Sequence, residues 1–167
     1  MSSSASYWIS HLQLIKHIEG GWYSEVYRST LKVGHSVLPT AFNGDRNFCT
    51  HIYFLLEKGN YSAFHRIASD ELWHFYQGDP LVIYEIDQEG KMLEHNLGND
   101  PSKGQLLFCV IKAGNWFASR PDVNSEYSLV GCTVSPGFDF NDFEMAKESE
   151  LLASYPQHAV LIQSLCR

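Results

Sequence analysis

Between Phe64 and Pro80 the chain reads FHRIASDELWHFYQGDP, a run in which His65, Arg66, Asp70, Glu71 and His74 could do chemistry. An imidazole and a carboxylate this close in sequence suit three uses. They can hold a metal, move a proton, or form a buried hydrogen-bond network that only supports the fold. A catalytic metal takes about three protein ligands and keeps a position open. His51, on the preceding strand, and His74 are the further imidazoles within reach. His74 stands three residues after Glu71, so a regular strand turns the two to opposite faces and only a bulge would reunite them. Proton transfer asks for less. With Ser69-Asp70 at a hairpin tip, His65 and Glu71 become cross-strand or diagonal neighbours on one face. A carboxylate raises the pKa of a nearby imidazole and burial lowers it, a balance that suits His65 to general-base work. Tyr53, Tyr84 and Tyr127 are the candidates to return the proton.

These side chains need a scaffold, and the sequence supplies strands. WYSEVYRST, FCTHIYFLLE, YSAFHRI, ELWHFYQ, PLVIYEI, GQLLFCVIK, GNWFASR and YSLVGCTVS are rich in β-branched and aromatic residues. Turn formers such as Lys58-Gly59-Asn60, Gly78-Asp79-Pro80 and Asn99-Asp100-Pro101 separate them. Strands spaced this way predict an antiparallel sandwich or barrel. Ser6 to Lys16 reads as a helix with Trp8, Ile9, Leu12 and Ile15 on one face, broken by Glu19-Gly20-Gly21. In the tail, Asn141 with Glu144 predicts a helix start, Tyr155-Pro156 a stop, and Gln157 to Cys166 a second short helix. Both tail helices are expected over the barrel or at a dimer seam.

Composition narrows the class. A chain of 167 residues fits one domain large enough to bury its own core. Its net charge of -7 argues against a nucleic-acid duplex as partner. Cys49, Cys109, Cys132 and Cys166 form no C-x-x-C pair and read as buried thiols of a cytoplasmic protein. No apolar stretch reaches membrane-spanning length, and the first residues lack the features of a secretory leader. Arg66, next to His65, should point outward by strand parity. His11, His17, His35, His95 and His158 sit in helical or loop contexts and read as solvent-facing, and EMAKESE as a wetted helix face.

The spacing also resembles a known superfamily. Gly59, His65, Glu71 and Gly78 keep the intervals of the first cupin motif, with Ile67 where a second His is usual. EGGWYSEVYRS, IYFLLEKGNYSAFHRIASDELWHFYQGDPL, AGNWFASRP, YSLVGCTVSPGFDFNDFEMA and ELLASYPQHAVLIQ resemble one small cupin family over nearly the whole chain. The resemblance implies an all-β double-stranded β-helix (jelly-roll) barrel. Residues 1–18 form its N-terminal helix and lead-in, 19–138 the barrel and 139–167 the C-terminal helices. It implies a homodimer and no established reaction. The second cupin motif supplies another His after a Gly-to-Pro strand. Gly114 to Pro121 matches that strand, but YSLVGCTV holds no His, Tyr127 lying nearest. His65 and Glu71 are therefore the ligands the pattern retains for a divalent metal ion.

A second resemblance is to the cupin epimerases of deoxythymidine-diphosphate sugars. It places a base at His65 and matches Gly21, Tyr23 and Glu25 to nucleotide contacts, with Gly20 in place of an Arg and Arg28 left to supply positive charge. The expected pocket is lined by His51, Tyr53, His65, Glu71, Trp73, Tyr84 and Trp116, with His74 and Tyr127 as further contacts and Arg28 at the mouth. Its expected ligand is a nucleotide, sugar nucleotide or related polar metabolite, isomerised or epimerised with His65 as base. The alternatives are a metal-dependent dioxygenase or isomerase built on His65 and Glu71, and a dimeric binding or scaffold protein whose centre is plugged by Trp73, Phe75 and Trp116.

Overall fold

The computed structural model describes residues 4–167. Two antiparallel sheets face each other. The first helix, α1 (Ala5–His11), precedes β1 (Ile15–Lys16), β2 (Trp22–Arg28), β3 (Lys32–Val33), β4 (Arg46–Asn47), β5 (Thr50–Glu57) and β6 (Ser62–Arg66). Then come β7 (Asp70–Gly78), β8 (Leu81–Ile86), β9 (Met92–Leu97), β10 (Phe108–Ile111), β11 (Trp116–Pro121) and β12 (Tyr127–Ser135). The tail holds β13 (Glu144–Met145), α2 (Glu148–Ser154) and α3 (Ala159–Leu165). One sheet runs β1-β2-β5-β12-β7-β10 and the other β13-β6-β11-β8-β9, while β3 and β4 pair with each other in a separate two-stranded ribbon. This is the all-β jelly-roll barrel with short flanking helices.

Strand parity divides each strand between an inner and an outer face. Inward residues Phe54, Leu56, Trp73, Phe75, Leu81, Ile83, Phe117 and Val130 pack one end of the barrel solid. At the other end the inward positions shrink or turn polar: Thr50 and Ile52 on β5, His65 on β6, Glu71 on β7, Cys132 and Val134 on β12. A cavity opens there. Outside, α1 with Leu14 covers Leu55, Tyr127 and Leu129 of the six-stranded sheet. α2 and α3 cover Phe64, Tyr84, Ile86 and Ala118 of the five-stranded sheet through Leu151, Ile162 and Leu165. The tail helices therefore bury the outer face of their own barrel.

Three details depart from the sequence reading. The first helix stops at His11, because Gln13 takes a left-handed φ of 53° and the chain then joins the sheet as β1. Asn141 caps no helix. Asp139 instead caps the short turn Phe140–Asp142, and Glu144 with Met145 pairs with β6 as a strand, so EMAKESE is part strand and part helix. β9 (Met92–Leu97) is a full partner of β8 although MLEHNL carries little strand signal. All four cysteines are free thiols, and Cys49 is only partly buried. No helix among the described residues is long and apolar enough to cross a membrane.

Candidate functional site

The cavity has a volume of about 320 Å³. His65 and Glu71 both line it, but not as hairpin neighbours. β6 and β7 belong to different sheets, and Ile67 to Ser69 crosses between them, held by the Ser69 hydroxyl donating to the Pro136 carbonyl at 2.7 Å. The two groups therefore enter the cavity from opposite walls.

The partner of His65 is Glu19, which the sequence reading used only as a helix breaker. His65 Nδ1 lies 2.7 Å from the Ala63 carbonyl, which can only accept, so Nδ1 carries a hydrogen. Nε2 is left facing Glu19 Oε2 at 3.2 Å. The same oxygen lies 3.3 Å from His17 Nδ1, and the Ser62 hydroxyl donates to Glu19 Oε1 at 2.8 Å. Burial pushes the Glu19 carboxyl up, but His65, His17 and Ser62 outweigh it and hold it below the usual carboxylate range. Burial pulls the His65 imidazole down further than Glu19 and the Ala63 carbonyl push it back, so it stays below its ordinary value. At neutral pH the bare Nε2 therefore faces an ionised carboxylate, lone pair to lone pair. A proton taken up there is held between Nε2 and Glu19, so the two accept it as a unit.

Gly20 and Gly21 put Glu19 there. Gly20 has φ +116° and Gly21 φ +73°, and a Cβ on Gly20 would sit 2.0 Å from the Tyr61 carbonyl oxygen. The turn doubles the chain back and sends Glu19 and His17 inward. His17, expected in solvent, is only 7% exposed along its side chain.

Glu71 is different. Burial, reinforced by the charge of Glu19, lifts its carboxyl to about 8 against only a weak counter-pull from the Cys132 thiol. At neutral pH it is a protonated acid and can give a proton. Burial also raises the Cys132 thiol well above its ordinary range, so it is no nucleophile.

Tyr23, Glu25 and Arg28 of β2 reach the cavity mouth. The other expected lining residues do not line it, for reasons of parity and depth. His51, Tyr53 and His74 stand on the outer face of the six-stranded sheet, where His51 and His74 share the Thr133 hydroxyl at 2.7 and 3.2 Å. Trp73 is buried in the solid end of the barrel. Tyr84 lies under the tail helices, its hydroxyl 3.2 Å from Arg120. Trp116 is also outside, beneath the Arg66 guanidinium, which pairs with Glu144. Tyr127 packs under α1 and accepts from the Trp8 indole at 3.1 Å. Beside Tyr23, the rings that line the mouth are Phe138, Phe140 and Phe143, all from FDFNDF between β12 and β13.

The residues present do not fit a divalent metal. Ile67 fills the second His position, His65 presents its free nitrogen to Glu19, and Glu71 is a protonated acid, a poor ligand. Among the described residues no group of three or more His, Cys, Asp or Glu could hold a metal ion.

The fold and cavity define a jelly-roll barrel of the small-molecule-binding cupin type. Residues 6–146 match the family described as Cupin superfamily (DUF985), and the chain belongs to that family. An uncharacterised Saccharomyces cerevisiae protein, YML079W, is 33% identical over 162 residues, covering 89% of this chain and 79% of that one. A hypothetical protein from Leishmania major superposes with a TM-score of 0.89 at 37% identity, over 98% of this chain and 99% of that one. Protein SO0799 from Shewanella oneidensis does so with 0.88 at 40%, over 99% and 98%. Oxalate decarboxylase from Bacillus subtilis shares the fold alone: TM-score 0.54 at 13% identity, over 90% of this chain and 36% of that one.

Proposed function

We propose that the chain is an isomerase or epimerase of a small polar metabolite, moving a proton between the His65–Glu19 pair and Glu71. The observation that carries this reading is the pairing of opposites in one cavity: a proton-accepting dyad on one wall and a protonated carboxylic acid on the other. Two titratable groups whose surroundings push them apart are suited to acid and base roles. A C–H next to a carbonyl loses its proton to the dyad, and Glu71 gives its own to the carbanion from the other side or at the neighbouring atom. Exchange with water then resets both groups. His65 is the base only together with Glu19, and Glu71 takes the acid role expected of Tyr53, Tyr84 or Tyr127.

The reading is tested by incubating the protein in deuterium oxide with a panel of keto, aldehyde and hydroxy-acid metabolites and following loss of C–H signals by proton NMR. A turned-over compound should exchange a single C–H, and Glu19→Gln or Glu71→Gln should slow that exchange by about 10²–10⁴-fold. Exchange that persists at the wild-type rate in both variants would overturn it.

A further inference from the structure

We propose that the cavity recognises its ligand through a positively charged amine or ammonium group rather than a phosphate. This rests on the small-molecule reading above and names the ligand class.

The charge at the mouth points that way. Among the described residues, Arg28 is the one permanent cation lining the cavity, and all three of its nitrogens already donate. Nε and Nη2 donate to the two oxygens of Glu25 at 2.9 and 2.6 Å, a closed bidentate pair. Nη1 donates to Asn47 Oδ1 at 3.0 Å and to the Phe138 carbonyl at 3.1 Å. A phosphate could take this fork in a bidentate contact only by displacing Glu25. Asp139 adds a second carboxylate beside it, so the mouth is net negative before Glu19 is counted.

The walls agree with the charge. Phe138 and Phe140 meet edge to face at 5.0 Å, Phe140 and Phe143 at 6.0 Å, and His17 stacks on Phe140 at 6.1 Å. Ring faces attract cations within about 6 Å, most strongly beside carboxylates and away from bulk water. Phe140 is 53% exposed, so the ring at the rim keeps open surface for a ligand. Deeper in, the buried Glu71 carboxyl lies beside the Cys132 thiol and lines the cavity. It can meet a neutral hydroxyl or carbonyl of the same ligand.

Three probes of nearly one shape separate the charges: choline, its neutral isostere 3,3-dimethylbutan-1-ol, and the anion 3,3-dimethylbutanoate. Each is titrated into the full ¹⁵N-labelled chain while the amides of residues 138–143 are followed. Choline should bind about tenfold tighter than the alcohol, with the carboxylate weakest. Phe140→Ala, at an exposed ring, should shrink that advantage to about threefold or less with the spectrum otherwise unchanged. Glu25→Gln frees the Arg28 fork and should move the preference toward the carboxylate. Tightest binding by the carboxylate, equal binding of choline and the alcohol, or no shift at these amides with any probe would overturn the proposal. The deuterium-exchange experiment is read separately, so loss of the cation preference leaves the proton-transfer reading to its own test.

Discussion

His65 and Glu71 are legible in the sequence because motif spacing fixes their strand positions. Glu19 is not, because no local pattern tells a Glu before two glycines that the turn will fold it into a barrel. Strand parity separates His74 from Glu71 and turns Arg66 outward without any structure. It cannot say which end of the barrel is hollow, so Trp73 is inward and yet packs behind Phe54 rather than lining the cavity. At this scale the buried acid makes a pH prediction. The folded protein keeps a proton on Glu71 up to about 8, whereas the unfolded chain releases it near 4.5. This contribution to stability is therefore complete below the unfolded value, is lost as pH rises through the folded one, and is flat above it. Denaturant titrations should show stability falling between these two values, and Glu71→Gln should flatten that fall. An unchanged slope in the variant would assign it to other groups.

Two short elements hold the site, and neither reads as a strand or a helix. The Gly20-Gly21 turn is one. Gly20→Ala forces a Cβ into the Tyr61 carbonyl at a left-handed φ and should cost at least about 2 kcal/mol in chemical denaturation. The FDFNDF segment is the other. Its Asp142 forms a buried ion pair with Arg46, whose side chains are 6% and 3% exposed. Asp142→Ala leaves that guanidinium buried and unpaired, with an expected loss of about 3 kcal/mol and of ligand binding at the mouth. A denaturation midpoint unchanged from wild type would show that the pair does not anchor the segment. The sequence carries these elements as glycines and as a Phe/Asp alternation, but their role is long-range: Asp142 meets a residue 96 positions away.

The barrel as a whole is the most legible feature, since eight strand-rich runs separated by turn chemistry already specify an antiparallel sandwich. The short β1, β3, β4 and β13 are not legible, because two-residue strands are fixed by their partners. The whole molecule also bears on the homodimer that the family resemblance implies, which we advance as a proposal. α1 leaves part of the outer face of the six-stranded sheet bare, with Tyr27, Tyr76 and Phe108 exposed by 54%, 43% and 45%. Sedimentation equilibrium should give a dimer for the wild type and a monomer for Tyr76→Glu with Phe108→Glu; a monomeric wild type would end the proposal.

The most direct test of the central claim is a carbon-13 NMR titration of the glutamate side-chain carboxyls, with Glu71→Gln to assign the signal. The account predicts one carboxyl titrating at about 8 that disappears in the variant. If every glutamate titrates in the ordinary acidic range, position 71 holds a carboxylate at neutral pH, and the division of labour between acid and base is wrong.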